Sequence, residues 1–496
     1  MAFSFPPEKA WLPLPPTHWQ PGTARHLLRR AGWTATPDEV ARAVSEGLAA
    51  TLDRLFPDSA PRLSAPASVT ELAAAEPELR RAAREKQGEE RQRLQRELRD
   101  RQRNAVRDLT IQWLTYAATP AQSAAAKWVL FLSDVYVVSA DKVNNPALLH
   151  EHFDILTHDG FGAAPALTKA VSRSPAMELY LDLNQSRRKA PNENFARELF
   201  ELFVLGEGHY SEQDIKEAAR AFTGYRIDRE REFHFVPAQH DPGRKTVFGH
   251  VGPHTGDDVI DLAYRQPAAS AFLPAEMMRF YLSNDPIPSE HLTALGDEWR
   301  RHDFNLRWLT HRFFGSQFFY AAEFRANYIK SPIQFYLGLL QDLGLDVPPI
   351  PRMTINPLRQ MGQLLFYPPN VRGWVGGKTW INSATIAARR QFVESVFAGI
   401  KESVLNADEL MDLKAARAAG ASRFSVTDDA FASLSKLPPA DSAAELTERF
   451  LAAPAASALR EVLAGYISAG ASAPNRPPAV RRAAAILLQS PSYQLC

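Results

Sequence analysis

The chain has 496 residues, 45% hydrophobic and 23% charged, with a formal net charge of +1. That length exceeds one ordinary core, the composition is that of a globular protein, and the balanced charge gives no global attraction to nucleic acid or an anionic membrane surface. The one cysteine, Cys496, excludes internal disulfides and any thiolate metal or iron–sulfur site held by this chain alone.

No run of about 18 apolar residues is present, so no membrane-spanning helix is expected. The opening "MAFSFPPEKAWLPLPPTHW" lacks the basic-then-apolar layout of a signal peptide; the cytoplasm is the default compartment, with export left open. Residues 1–22, rich in proline and aromatics, read as an extended arm over a surface. "TARHLLRRAGWTATPDEVARAVSEGLAATLDRLF" follows as two short helices, the second capped by Thr36 or Thr34, with Pro37 at a first helical position. Residues 57–70 read as a Pro/Ser/Ala loop. From about 78 to 109, charges of both signs recur at helical spacing, with hardly an apolar residue before Leu94. This predicts a solvated helix supported by i, i+4 pairs. An RNA-binding arm is the weaker reading, because the acids nearly balance the arginines.

The apolar "AAAKWVLFLSDVYVVS" fits a buried helix or a strand, and its Ala-rich start favours the helix. Helical patterns run through 146–184 around a loop at "THDGFGAAP". In "GEGHYSEQDIKEAARAFTGY", Ser211 and Asp214 form a capping-box pattern ahead of the apolar stripe Ile215, Ala218, Ala219 and Phe222, and Gly224 can close the helix. Phe233, Phe235 and Thr246–Phe248 around "DPGR" predict one β-hairpin. Helices resume from about 256 to 345. Residues 367–383, "YPPNVRGWVGGKTWINS", are an irregular loop, too aromatic for a linker. Residues 384–404 read as a helix, and 405–496 as a smaller helical unit with a loop at "SAPNRPPAV".

Three constellations can carry chemistry. In "NENFARELFELFVLGEGHY", residues 192–210, Asn194, Arg197, Glu198 and Glu201 stand at i, i+3, i+4 and i+7, with Glu193 one step off that face. Arg197 can pair with Glu201. The stripe reads either as a buried ion-pair network that fixes helix packing or as a carboxylate pair for acid–base work. His234, His240, His250 and His254 fall within 21 residues, out of 13 histidines in the chain. "HDPGRK" sets His240, Asp241 and Lys245 about a tight turn able to hold an anion or present a base, yet no spacing is diagnostic of a metal. In the 367–383 loop, Trp374 and Trp380, with Asn370, Arg372 and Asn382, suit stacking on a sugar or peptide, or else plug the core. Phosphate-loop, dinucleotide and nucleophile-elbow motifs are absent.

Taken together, "NENFARELFELFVLGEGHYSEQDIKEAARAFTGY", "RHLLRRAGWTATPDEV", "AVSRSPAMELYLD" and "HDPGRKTVFG" resemble the family known as domain of unknown function 1800, over roughly residues 24–395, with "ILLQSPSYQ" similar to its usual ending. The resemblance implies a mainly α-helical bacterial protein. It brings no settled activity, and many members carry export signals. Genes of the family often stand beside those of another uncharacterised family that resembles sulfatases and phosphatases. Many members carry Trp-His-Asn-His-Phe where this chain has Leu132-Ser133-Asp134-Val135-Tyr136, so any chemistry resting on those histidines is lost here.

The expectation is therefore an all-α protein: a multi-helix orthogonal array with one small β-hairpin. It has an extended arm over 1–22, a main domain over 23–400 and a helical C-terminal unit over 401–496. The helix at 193–205 is expected at the centre, under the 240–245 turn and the 367–383 loop. Two functions remain open. One is a hydrolase-like site with Glu198, Glu193 and His240 catalytic and Arg197, Asn194, Lys245, Trp374 and Trp380 binding an anionic or glycan-like substrate, without metal or cofactor. The other is a non-catalytic helical scaffold for a small molecule, glycan or partner protein, with a structural Arg/Glu network. Neither calls for nucleic acid.

Overall fold

Proline opens helix after helix along this chain. Pro21, Pro37, Pro146, Pro332 and Pro351 each stand in the first turn of a helix, where the missing N–H costs nothing and the fixed φ suits the start. Short polar side chains close the same ends: Thr36 accepts the Glu39 N–H, and Ser211 with Asp214 forms a reciprocal capping box. The computed structural model describes residues 4–228, 231–470 and 476–496. Among them the architecture is all-α, with two small antiparallel two-stranded sheets.

The charged run is a helical hairpin rather than a single helix. Ala67–Glu85 and Gly88–Ala117 pack against each other, reversing at Gly88, whose φ is +55°. The expected 57–70 loop is thus shorter than its composition suggests. Ion pairs such as Arg80–Glu76 and Arg101–Glu97 lie one turn apart on these helices, as the charge spacing predicts. The β structure also differs from expectation. Phe233–Phe235 pairs with Tyr225–Ile227, and Lys245–Val247 pairs with His250–Gly252. The two expected strands belong to separate hairpins, each closed by a nearer neighbour, so "DPGR" connects sheets instead of closing one.

The centre is the Ser123–Val135 helix, in which every residue is buried. It takes the place expected for the 193–205 segment, because its apolar side chains run all round while the later helix keeps a polar side. Trp11, Trp33, Trp128 and Trp299 are each at most 2% exposed in the surrounding core. Burial of Trp11 ties the N-terminal arm down, together with the Leu14 N–H to the Gly315 carbonyl at 2.8 Å. The apolar cluster is continuous from Leu27 through Leu340 to Leu446 and Leu487. The C-terminal residues return to the main body: the Lys330 N–H donates to the Gln494 carbonyl at 2.8 Å, and Tyr493 Oη donates to Asp342 Oδ2 at 2.7 Å. The predicted loop at 472–480 lies partly outside the described residues; from Arg476 the chain is helical. No helix among the described residues is long and apolar enough to cross a membrane.

Candidate functional site

The Asn-Glu-Asn motif is a staple before it is anything else. Asn192 Oδ1 accepts the Asn194 N–H at 2.9 Å, and Asn192 Nδ2 donates to the Asp182 carbonyl at 3.2 Å. Asn194 Nδ2 donates to the Leu181 carbonyl at 3.1 Å. Both amides thereby satisfy carbonyls of a segment that reverses at Asp182, where φ is +57°. Phe195 and Ala196 enter the core, Phe195 against Phe222 at 4.9 Å between ring centroids.

The stripe does not survive as a single face. Asn194–Glu198 is α-helical, but Leu199–Val204 is a π-helix, closed by the Leu205 and Gly206 N–H groups on the Phe200 carbonyl. The wider π turn breaks the i, i+4 alignment between Arg197 and Glu201. Arg197 instead makes a two-pronged pair with Glu212, 2.8 Å at each oxygen, and stands 3.7 Å from Glu193. Glu201 turns the other way. It accepts from Tyr210 Oη at 2.7 Å and from Arg372, whose Nη2 also reaches Glu207. Arg197 and Arg372 are 36% and 54% exposed, so this is a surface network and not the buried one expected. Glu198 lies half-buried between the two arginines. Its carboxyl is raised above the ordinary range by burial and by Glu201, against the pull of Arg372 and Arg197.

Arg372 belongs to the 367–383 loop, which thus reaches the stripe. Two residues further on, the loop is anchored in the core. The Trp374 N–H donates to Asp134 Oδ1 at 2.8 Å, and Arg279 faces the other oxygen at 3.7 Å. Asp134 is raised to about 6, chiefly by burial, which Arg279 and the Trp374 N–H oppose. Trp374 and Trp380 are each 7% exposed, so neither offers a ring face for stacking. They close a cavity of about 20 Å³ beside Lys127, Asp134 and Arg279, room for about one water. Lys127 is lowered to about 7 by burial, and its ammonium donates to the Arg30 and Gly32 carbonyls at 2.8 and 3.0 Å.

The "HDPGRK" turn is satisfied from within. Lys245 is 1% exposed and donates to the Asp241 and Gly243 carbonyls at 2.6 and 3.1 Å. Asp241 pairs with Arg220 at 2.7 Å, and His240 Nδ1 donates to the Thr223 carbonyl at 2.9 Å. These contacts join the turn to the Glu212–Ala221 helix and the residues after it. Among the described residues no group of three or more His, Cys, Asp or Glu is placed to hold a metal ion. Sequence reasoning missed the Asp134–Arg279–Trp374 junction. The available signal was one acid inside "WVLFLSDVYVV", because a carboxylate in such a run needs a partner. It also missed Glu178, fully buried with neither oxygen hydrogen-bonded and raised to about 8 by burial, which Arg226 opposes.

The fold and its paired surface acids define the chain first as an all-helical protein organised around a buried central helix. It belongs to the family described as Protein of unknown function (DUF1800), which matches residues 26–495 and so includes the C-terminal helices. No curated protein and no solved structure matches the chain.

Proposed function

We propose that this protein is a non-catalytic helical binding scaffold, in which the Asn-Glu-Asn helix seats the 367–383 loop. The observation that carries this reading is Arg372, which joins the loop to Glu201 and Glu207 while Trp374 fixes the same loop on Asp134. The remaining groups that could build an acid–base site support it: Asn194, Arg197, Lys245 and His240 Nδ1 are each held by a protein partner. A second reading rests on Glu198 alone. Its half-buried carboxyl, raised by burial and by Glu201, is suited to a general acid in a hydrolase-like reaction on an anionic or glycan-like substrate.

One experiment separates the two. Purified protein and Glu198→Gln are compared on ester, glycoside, phosphate and sulfate substrate panels. The scaffold reading expects no turnover above a buffer blank from either protein. Turnover by wild type that Glu198→Gln abolishes would overturn it and establish Glu198 as the acid.

A further inference from the structure

A separate region of the molecule carries charge that the stripe does not involve. A cavity of about 450 Å³ opens between the Pro21–Ala31 helix and the link that joins the Pro439–Phe450 and Ser457–Ala469 helices. Arg25, Arg29, Arg325 and Arg460 line it; among the described residues Glu448 is the one Asp or Glu on the lining, and Cys496, whose negative charge acts on Arg29, lines it too. Ala444, Leu451, Ala453 and Pro454 make a small apolar wall, and no Phe, Tyr or Trp among the described residues lines the space.

The four arginines are not equally engaged. Arg29 is buried, and its guanidinium donates to the Leu451 and Arg449 carbonyls, which holds the link in place. Arg25 stands 3.3 Å from Glu448, a pair 28% and 63% exposed and therefore weak. Arg325 makes one long contact, 3.4 Å to the Tyr320 carbonyl. Arg460 has no ion pair and no side-chain hydrogen bond among the described residues. His26, also on the lining, puts Nε2 on the Phe319 carbonyl at 3.0 Å. Burial and the neighbouring Arg30, Arg325 and Arg29 hold it well below the usual imidazole range, so it adds no charge at neutral pH.

Four guanidinium groups against the negative charges of Glu448 and Cys496 leave a net positive field in a concave site. Its volume is that of a small-molecule pocket. The planar fork of arginine matches phosphate oxygens, and the two least engaged forks, Arg325 and Arg460, have donors to offer. An apolar wall without aromatic rings suits a short aliphatic or sugar moiety and provides no stacking surface for a nucleobase. We propose that this cavity binds a small organic phosphate. Arg325, Arg460 and Arg25 hold the phosphate, and the organic part lies on the Ala444–Pro454 wall. The site is independent of the reading given for the Asn-Glu-Asn helix.

The test is calorimetric titration of the full chain, at constant ionic strength, with glycerol 3-phosphate, inorganic phosphate, adenosine monophosphate and glycerol. Glycerol 3-phosphate should bind more tightly than inorganic phosphate, glycerol should not bind, and the adenine ring should bring no gain. Arg325→Ala and Arg460→Ala lie on exposed side chains and should leave melting unchanged. Each should weaken glycerol 3-phosphate binding about tenfold, since each removes a charge-assisted hydrogen bond. Glu448→Gln should tighten it severalfold by removing the acid that pairs with Arg25. Arg301→Ala, exposed and outside the cavity, should change nothing. Equal affinity for inorganic phosphate, or binding that both arginine substitutions leave intact, would overturn the proposal.

Discussion

Gly373 lies so close to Asp134 that a Cβ at this position would stand 2.0 Å from Asp134 Oδ1, and its φ is +70°. Only glycine lets the backbone reach a buried carboxylate in this way, and that approach lets the next N–H donate to it. Gly373→Ala combines a backbone conformation that L-residues avoid with a steric overlap against a group that cannot retreat. The expected cost is about 3 kcal/mol or more in urea unfolding. A loss within about 0.5 kcal/mol would show that the loop is not held on Asp134.

Two substitutions at Asp134 itself should separate charge from hydrogen bonding. Asp134→Asn keeps an acceptor for the Trp374 N–H and removes a carboxylate that burial already raises to about 6. It should change stability at pH 7 by no more than about 1 kcal/mol. Asp134→Ala leaves the Trp374 N–H and Arg279 without their acceptor and should cost about 2–4 kcal/mol. Chemical denaturation of both variants checks the order, and equal losses would mean that the ion pair with Arg279 outweighs the backbone bond.

Glu178 gives a pH dependence with a definite sign. Its folded carboxyl is raised to about 8, so between the ordinary carboxyl value and about pH 8 the folded state holds a proton that the unfolded state has lost. Stability from this group is fully present below the unfolded pKa and falls as pH rises towards 8, by at most about 1.4 kcal/mol per pH unit. Glu178→Gln removes the titration. Its stability relative to wild type should therefore be nearly level at pH 5 and grow through pH 8. Parallel stability–pH curves for the two proteins would contradict the assignment.

The Asn-Glu-Asn helix marks how far local sequence carries. Features set within a few residues were legible: Pro37 and Thr36 at a helix start, the Ser211–Asp214 box, and the buried helix at "AAAKWVLFLSDV". Such signals depend on backbone sterics and capping, which the neighbouring residues determine. The pairing of Arg197 was not legible, because the π turn after Glu198 is invisible to a 3.6-residue period. Nor was the partner of Glu201, since Arg372 is 171 residues away and is brought there by the anchorage of Trp374. The single hairpin failed for a similar reason: Phe233–Phe235 had a nearer strand to pair with, in residues whose β pattern is only three long.

Exposure of the stripe reverses one energetic expectation. A buried Arg197–Glu network would make Glu198→Gln strongly destabilising. Among the described residues Glu198 has no hydrogen-bonded ion pair to lose, and its raised carboxyl means that ionisation opposes folding as pH rises through and above the ordinary carboxyl range. Glu198→Gln should melt at or slightly above wild type at pH 7, within about 1 kcal/mol, with the gap closing at low pH. Arg197→Ala should cost no more than about 1 kcal/mol, and less at high salt, as an exposed pair does. A loss of several kcal/mol in either variant would restore the buried-network account.

The latch itself can be tested without knowing the ligand. The Arg372 side chain that reaches Glu201 and Glu207 is itself 54% exposed, so Arg372→Ala should lower global stability by no more than about 1 kcal/mol. Its effect should instead be local. Trp374 still fixes one side of the loop on Asp134, while residues around Asn370 and Val371 lose their tie to the π-helical segment. Hydrogen exchange should accelerate in the neighbouring backbone amides from Asn370 to Gly373, with little change at Trp374 and beyond. Glu201→Gln should reproduce part of the acceleration, because Glu207 remains as a second acceptor. Arg372→Lys should restore part of the protection, because an ammonium can replace one bond but not the planar fork. If exchange in this segment is unchanged in Arg372→Ala, the loop is held by its tryptophans alone and the Asn-Glu-Asn helix is not its seat.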